Sequence, residues 1–247
     1  GRARRVRLVM TADRGLEVVV PRRFDRRQVP ALVESKRDWI ERAAVRVGLR
    51  AEARRRRLES DPPTLPERIV LPAVGEEWVV EYRPGLSHQT GQRDVARSTR
   101  TAVRERAGRR LLVTGDLDDL EACRQALCRW LRRRATSVLV PWVADAALRH
   151  RLEYGRVSVR QQRTRWASCS RQKTISLNAR LLFLQRDLVE YVVLHELCHT
   201  AEMNHSARFW ARLKKHDPDC HAHRMLLRAA AASVPTWVDH AMERPGV

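Results

Sequence analysis

The stretch HELCHTAEMNHSARFW, residues 195–210, holds three histidines between positions 195 and 205, with Glu196 directly after the first. On an α-helix a spacing of four residues puts His195 and His199 about 40° apart, on one face. His205 lies six residues further on, and on the same unbroken helix it would point about 240° away from His199. The three imidazoles meet only if the helix stops between His199 and His205 and the chain turns back. Asn204 tolerates the left-handed conformation such a turn uses, and Ser206 is a good cap for a new helix. The sequence therefore predicts helix, break and new helix, with a first helix DLVEYVVLHELCHTAEM running from Asp187 to about Met203.

The chemistry follows from the surroundings. VVLHELCH is apolar around its polar trio, and burying two histidines and a carboxylate without partners is costly. A metal ion removes that cost. Histidines four apart on a helix can both reach one zinc ion at about 2.0–2.1 Å. Glu196 sits about 100° round from His195, poorly placed to ligate but able to reach a water beside the ion. H-E-x-x-H on a helix is the arrangement in which two histidines hold zinc and the glutamate is a general base. With His205 as third ligand one coordination position stays open, the mark of a catalytic rather than a structural zinc site. The expected cofactor is one Zn2+ per chain, with His195, His199 and His205 as ligands and Glu196 as the catalytic base.

Outward from this stretch the pattern is mixed. RVRLVM and LEVVV, around a TADRG turn, predict a β-hairpin over residues 1–20. A helical region follows from Val29 to about Leu58, and DPPTLP breaks the chain. RIVLP, EWVVEYR and RRLLVTG read as three strands. Residues 84–108 are polar and nearly free of aliphatics, and are expected as an exposed or disordered loop. A cap near Asp116 opens a helical region to Arg149, with Pro141 expected to start a new helix. RVSVRQQ and TISLN are strands on either side of RTRWASCSRQK. Asp187 followed by Glu190 resembles a capping box. Asp219 opens a last, alanine-rich helix. The expected division is a β-rich N-terminal region, 1–115, and a catalytic domain, 116–247, of class α+β.

RWASCS (165–170), TISLNARL (174–181), YVVLHELCH (191–199) and NHSARFW (204–210), in this order, resemble the YgjP-like metallopeptidase family. Ala167 stands where that pattern has glycine. The resemblance covers most of the chain and is most specific over residues 163–216. It implies a zincin-like catalytic domain, an active-site helix against a small sheet, preceded by a small β-rich domain. It implies a zinc-dependent hydrolase related to the SprT-like and WLM-type proteases. The substrate class stays open: a peptide or protein, or a nucleotide cleaved as by a UTP pyrophosphatase. A third reading is a nucleic-acid-associated protease or binding module. Metzincins share the gap between second and third histidine but carry glycine where this chain has Glu202. Arg165, Ser168, Cys169 and Asn178 match the family motifs and are candidates to line the cleft. Tyr191, one turn before His195, is another. Cys198, Phe209 and Trp210 read as core. Cys220, His221 and His223 are too poorly spaced for a second metal.

The composition bounds the partners. A 247-residue chain with 43% hydrophobic residues can bury a sizeable core. No apolar run approaches the roughly 20 residues of a membrane span. GRARRVRLVM lacks the apolar core of a signal peptide, and five cysteines without paired spacing argue against a disulfide framework. A cytoplasmic protein is expected, of undetermined oligomeric state. The formal net charge is +20, which suits a polyanion such as nucleic acid or nucleotide. Yet only Lys36, Lys173, Lys214 and Lys215 among the 49 basic residues are lysines, the skew of a GC-rich coding bias. An anisotropy titration with duplex DNA separates the two origins. Nucleic acid held by this charge should weaken steeply between ~50 and ~200 mM salt, and no binding even at low salt leaves coding bias.

Overall fold

The structure, a computed structural model, describes residues 6–11, 14–60, 64–85, 101–162 and 164–240. The chain divides into two compact units, Gly1–Pro62 and Pro63–Val247. In the first, β1 (Arg7–Thr11) and β2 (Gly15–Val19) form the expected antiparallel hairpin. The helical region beyond Val29 is two helices, α1 (Val29–Glu34) and α2 (Arg37–Ser60). The break falls at Ser35, whose hydroxyl donates to the Leu32 carbonyl at 2.8 Å and competes with the helix ladder.

The second unit contains two small sheets. β3 (Arg68–Leu71), β4 (Glu76–Pro84), β5 (Ala102–Arg106) and β6 (Arg110–Gly115) lie in the order β3–β4–β6–β5. β4 and β6 are parallel and the outer pairs antiparallel. Alternate residues turn inward: Ile69, Leu71, Trp78, Val80, Leu111 and Val113 are all buried. β5 lies within the stretch expected as an exposed loop. Its sequence AVRER buries little, so polarity hid it; a charged strand is at home on a sheet edge. Residues 86–100 of that stretch lie outside the described residues.

α3 (Leu120–His150) runs unbroken for 31 residues. Its cap is Asp119, not Asp116: the Asp119 carboxylate accepts from the Ala122 N–H at 2.9 Å. Pro141 starts no new helix but sits inside this one. A proline there forfeits a backbone hydrogen bond. Burial of Val138, Leu139, Val143, Ala146 and Ala147 on either side overrides the break. The helix packs on β5, β6 and the second sheet's β7 (Arg156–Arg160). That sheet has the order β7–β9–β8, with β8 (Ala167–Cys169) inside the RTRWASCSRQK segment and β9 (Thr174–Asn178) central. A buried 3₁₀ turn, Ala179–Phe183, leads to α4 (Arg186–Cys198). α5 (Ala207–His216), α6 (Cys220–Ala229) and α7 (Thr236–His240) follow.

The class is α+β, as expected. The boundary placed at 115/116 does not coincide with the division at Pro62/Pro63, because the four-stranded sheet packs on α3. No described helix is long and apolar enough to cross a membrane.

A two-point ion pair ties this sheet to α3. Arg134 Nε donates to Glu76 Oε2 at 3.0 Å, Arg134 Nη2 donates to Glu76 Oε1, and Trp78 Nε1 donates to Oε2 at 2.9 Å. Burial pushes the Glu76 carboxyl up, but the Arg134 and Trp78 hydrogen bonds outweigh it and hold the group below its ordinary value. A carboxylate lowered in this way stabilises the fold fully above its unfolded pKa of ~4.3, and that contribution is lost as pH falls through the folded value. Glu76→Gln should cost about 3 kcal/mol, read as a lower urea midpoint. Between about pH 6 and about pH 3 the midpoint should fall more steeply in the parent than in the variant. Parallel profiles would mean the pair adds nothing.

Candidate metal centre

α4 is apolar on nearly every side. Leu188, Val189, Val192, Val193, Leu194, Leu197 and Cys198 are buried, which carries His195 and Glu196 into the interior. Two expectations for this helix are corrected. Asp187 and Glu190 form no capping box: the cap is Gln185, Asp187 accepts from the adjacent Leu188 N–H, and Glu190 pairs with Arg186. The helix ends at Cys198, five residues before Met203. Thr200, Ala201 and Glu202 donate their N–H groups to the Leu197 and Cys198 carbonyls in tight turns, and Thr200 Oγ1 also donates to Leu197 O at 2.7 Å. Asn204 is not left-handed, since among the described residues the positive-φ positions other than glycine are Arg109, Arg151 and Lys173. The reversal is made earlier, by these turns. Ser206 then restarts the chain as α5, its hydroxyl accepting from Phe209 N–H.

The break brings the three histidines together. Nε2 of His199 lies 3.2 Å from Nε2 of His195 and 3.2 Å from that of His205, and the last two are 3.0 Å apart. His199 Nδ1 lies 2.9 Å from the Glu202 carbonyl. A carbonyl only accepts, so Nδ1 carries the proton and Nε2 presents a lone pair. Three ring nitrogens at these distances cannot all satisfy one another by hydrogen bonds. Nitrogens about 2.0–2.1 Å from a tetrahedral zinc ion would be about 3.3 Å apart, close to what is seen. The donor set fits a metal ion, and among the described residues this is the group that could hold one. Burial pushes His195 down to about 3, with His199, His205 and Arg224 adding to the effect. Burial, then His199 and Arg224, lower His205 as well. Both shifts favour the neutral imidazole that ligation requires.

Glu196 is 7% exposed, and its Oε2 has no hydrogen-bond partner among the described residues. Burial pushes its carboxyl up to about 7, against the pull of the Arg165 charge. His195 Nδ1 is likewise buried without a partner. Orphaned polar atoms are uncommon inside proteins, and these two belong to adjacent residues of the histidine cluster's helix.

The remaining sequence candidates separate by role. Arg165 is exposed. Ser168 and Cys169 lie half-buried on β8. Burial and the Glu196 charge push the Cys169 thiol up to about 11, and it donates to its neighbour Ser170 O. Asn178 is 1% exposed, and its amide is committed. Its Nδ2 donates to Gln162 O and Arg165 O, both at 2.7 Å, and its Oδ1 accepts from Arg180 N–H. It therefore holds in place the segment that bears Arg165 and Trp166. Tyr191 is 3% exposed, its ring 5.8 Å from those of His195 and His223, and burial pushes its hydroxyl up to about 12.

Phe209 is core, as expected, but it is also the floor of the site. Its ring lies 4.8, 4.4 and 4.8 Å from those of His195, His199 and His205. Trp210 stacks against His205 at 5.8 Å and 29°. The Glu202 carbonyl and Arg224 have no separate mark in the sequence, because a carbonyl has no residue code and an exposed arginine is common in this chain. His221 stacks on Trp210, and His223 Nδ1 pairs with Asp217 Oδ2 at 2.8 Å, so neither joins a second metal cluster.

No curated protein matches the sequence. Among solved structures, the crystal structure of the metallopeptidase zymogen of Methanocaldococcus jannaschii jannalysin aligns at 22% identity. The match covers 36% of this chain and 92% of that one with a TM-score of 0.33, too slight a likeness to carry an argument. A family model described as YgjP-like, metallopeptidase domain, matches residues 4–230. That span takes in both sheets, the broken helix and every histidine of the cluster, and the chain belongs to the YgjP-like metallopeptidase family.

Proposed function

We propose that the chain hydrolyses peptide bonds at a single zinc ion held by Nε2 of His195, His199 and His205, with Glu196 as general base. The family implies a divalent metal. The observation that carries the finer reading is the convergence of three imidazole nitrogens beside a buried carboxylate with an unpartnered oxygen. Zinc bound there would supply Lewis acidity, acidifying a water and polarising the scissile carbonyl. The Glu196 carboxylate takes the proton of the attacking water and returns it to the leaving amine nitrogen. The Glu202 carbonyl fixes the His199 tautomer through Nδ1. Phe209 packs beneath all three rings and restricts their rotation.

β8 favours a peptide over a nucleotide. It is the edge of its sheet among the described residues and packs against α4. Asn178 N–H donates to Trp166 O and Ser170 N–H to Thr174 O, both at 2.9 Å. By the antiparallel alternation, Ala167 and Cys169 direct their own N–H and C=O away from β9. An extended substrate can add there as a further strand, anchored by main-chain hydrogen bonds.

Two measurements test this. The protein loaded with zinc should carry about one ion per chain. His199→Ala should lose most of it and melt at a lower temperature, since ligation couples to folding. Undiminished zinc in that variant would sink the ligand assignment. Glu196→Gln keeps shape and hydrogen bonding but cannot accept a proton. Its zinc content and melting temperature should match the parent, while turnover of a casein-type substrate falls about 10²–10⁴-fold. Full turnover with zinc retained would place the base elsewhere.

A further inference from the structure

We propose that Arg224, laid on the Trp210 indole beside the histidine cluster, receives a substrate carboxylate and makes the site selective for peptides with an acidic residue within about three positions of the scissile bond. The proposal rests on the peptidase reading and names the substrate class for that same site.

The geometry begins with Trp210. Its indole stacks against His205 at 5.8 Å and lies 6.3 Å from the His195 ring. The Arg224 Cζ sits 4.7 Å from the same indole. These two legs bound the distance from the guanidinium to the His205 ring at about 10.5 Å. Extended peptide covers ~3.3–3.6 Å per residue, so a side chain two or three positions from the reacting carbonyl falls within reach. Arg224 and His205 are both exposed, so a substrate meets them together.

Arg224 is ordered but uncommitted. An arginine on tryptophan is held by cation–π attraction, and its planar fork of N–H donors matches a carboxylate at two points. Among the described residues no carboxylate lies within ion-pair distance of it. Two acids that reach α6 are taken by its His223, Asp217 at 2.8 Å and Asp187 at 4.0 Å. Other arginines of this unit have found acids, such as Arg134 with Glu76, Arg149 with Asp145 and Arg186 with Glu190. The Arg224 charge is felt instead at His195 and His205, where it adds to burial in lowering their affinity for a proton, and at Tyr191, where it opposes the rise that burial causes. Arg165 contributes a second positive charge, felt by Glu196, and likewise pairs with no carboxylate among the described residues. A site with two such guanidinium groups favours an anionic neighbour to the reacting carbonyl. Arg224 does so with the tighter geometry.

The general charge of +20 attracts any acidic peptide, so the test must isolate the local effect. Arg228 provides the control. It lies one turn along α6, is exposed, and its substitution changes net charge equally. Quenched fluorescent peptides in matched pairs, Asp or Glu against Asn or Gln at each of three positions flanking the cleaved bond, give kcat and KM with the zinc-loaded full chain. Calorimetry of the same peptides on the Glu196→Gln protein gives affinity without turnover. The parent should prefer acidic peptides at one position. Arg224→Gln should reduce that preference about tenfold, Arg224→Lys should restore part of it, and Arg228→Gln should leave it intact, all at unchanged melting temperature. No acidic preference in the parent overturns the proposal, as does a preference that survives Arg224→Gln or falls equally in Arg228→Gln. Arg224-dependent binding of a nucleoside triphosphate without any acidic-peptide preference overturns it too. If the parent cleaves no peptide, the peptidase reading fails, and calorimetry still decides whether Arg224 takes a carboxylate.

Discussion

Three imidazoles drawn from one short stretch of chain meet only because the helix that carries the first two stops at the second. A continuous helix would carry His205 about 240° round from His199, out of reach. Here His199 is itself the C-terminal cap of α4. Its ring binds the Glu202 carbonyl through Nδ1, so a ligand candidate also fastens the turn that delivers the third histidine. The last carbonyls of α4 are satisfied by backbone N–H groups of the turn and by the Thr200 hydroxyl. The reversal therefore leaves few backbone orphans, which is what allows it to lie against a buried helix. α5 then begins at once, capped by Ser206, and sets Phe209 under all three rings.

Much of this was legible because it rests on side-chain chemistry at fixed spacing. The i, i+4 histidines, the need for a break before His205 and the Ser206 cap follow from helix geometry and capping preference. The mechanism of the break did not follow. Asn204 has the right propensity for a left-handed turn, but backbone hydrogen bonds closed the turn several residues earlier. Pro141 shows the same limit from the other side: a strong local breaker lost to burial of its neighbours along α3. β5 was hidden for a third reason. Its side chains bury little, and its place in the sheet comes from backbone pairing with β6, which no side-chain pattern records. Arg224 was invisible because its value comes from contact with Trp210, fourteen residues earlier in the chain, and not from any local motif.

α3 sets the organisation of the larger unit. It packs on strands of both sheets and on α4, so the four-stranded sheet and the candidate metal centre share one core. The sequence suggests a boundary near 115 because composition changes there from strand-like to helical. A change of secondary structure is not a change of domain when the new element's buried face lies on the old one. Leu127, Trp130, Leu131 and Leu139 are fully buried, and Trp130 meets Trp78 of the four-stranded sheet edge-on at 5.3 Å. Rigidity in this core reaches the site directly through α4, whose apolar faces hold His195 and Glu196 at depth.

That depth has opposite consequences for the two kinds of group in the centre. The same burial that lowers the proton affinity of His195 and His205, as ligation needs, also resists ionisation of Glu196, against its proposed role as a base. A divalent cation held by the imidazoles reverses only the second effect, because a nearby positive charge favours the carboxylate while neutral ligands are what it binds. Arg165 acts in the same direction, more weakly. The histidines and the glutamate are thus matched through the ion they would surround. On the proposed reading, an apolar setting keeps protons from competing for the imidazoles, and the ion they would hold would supply the charge that favours the Glu196 carboxylate. A more polar site would spare Glu196 the burial but would lower the strength of every electrostatic interaction within it, so the apolar faces of α4 belong to the chemistry as much as to the fold.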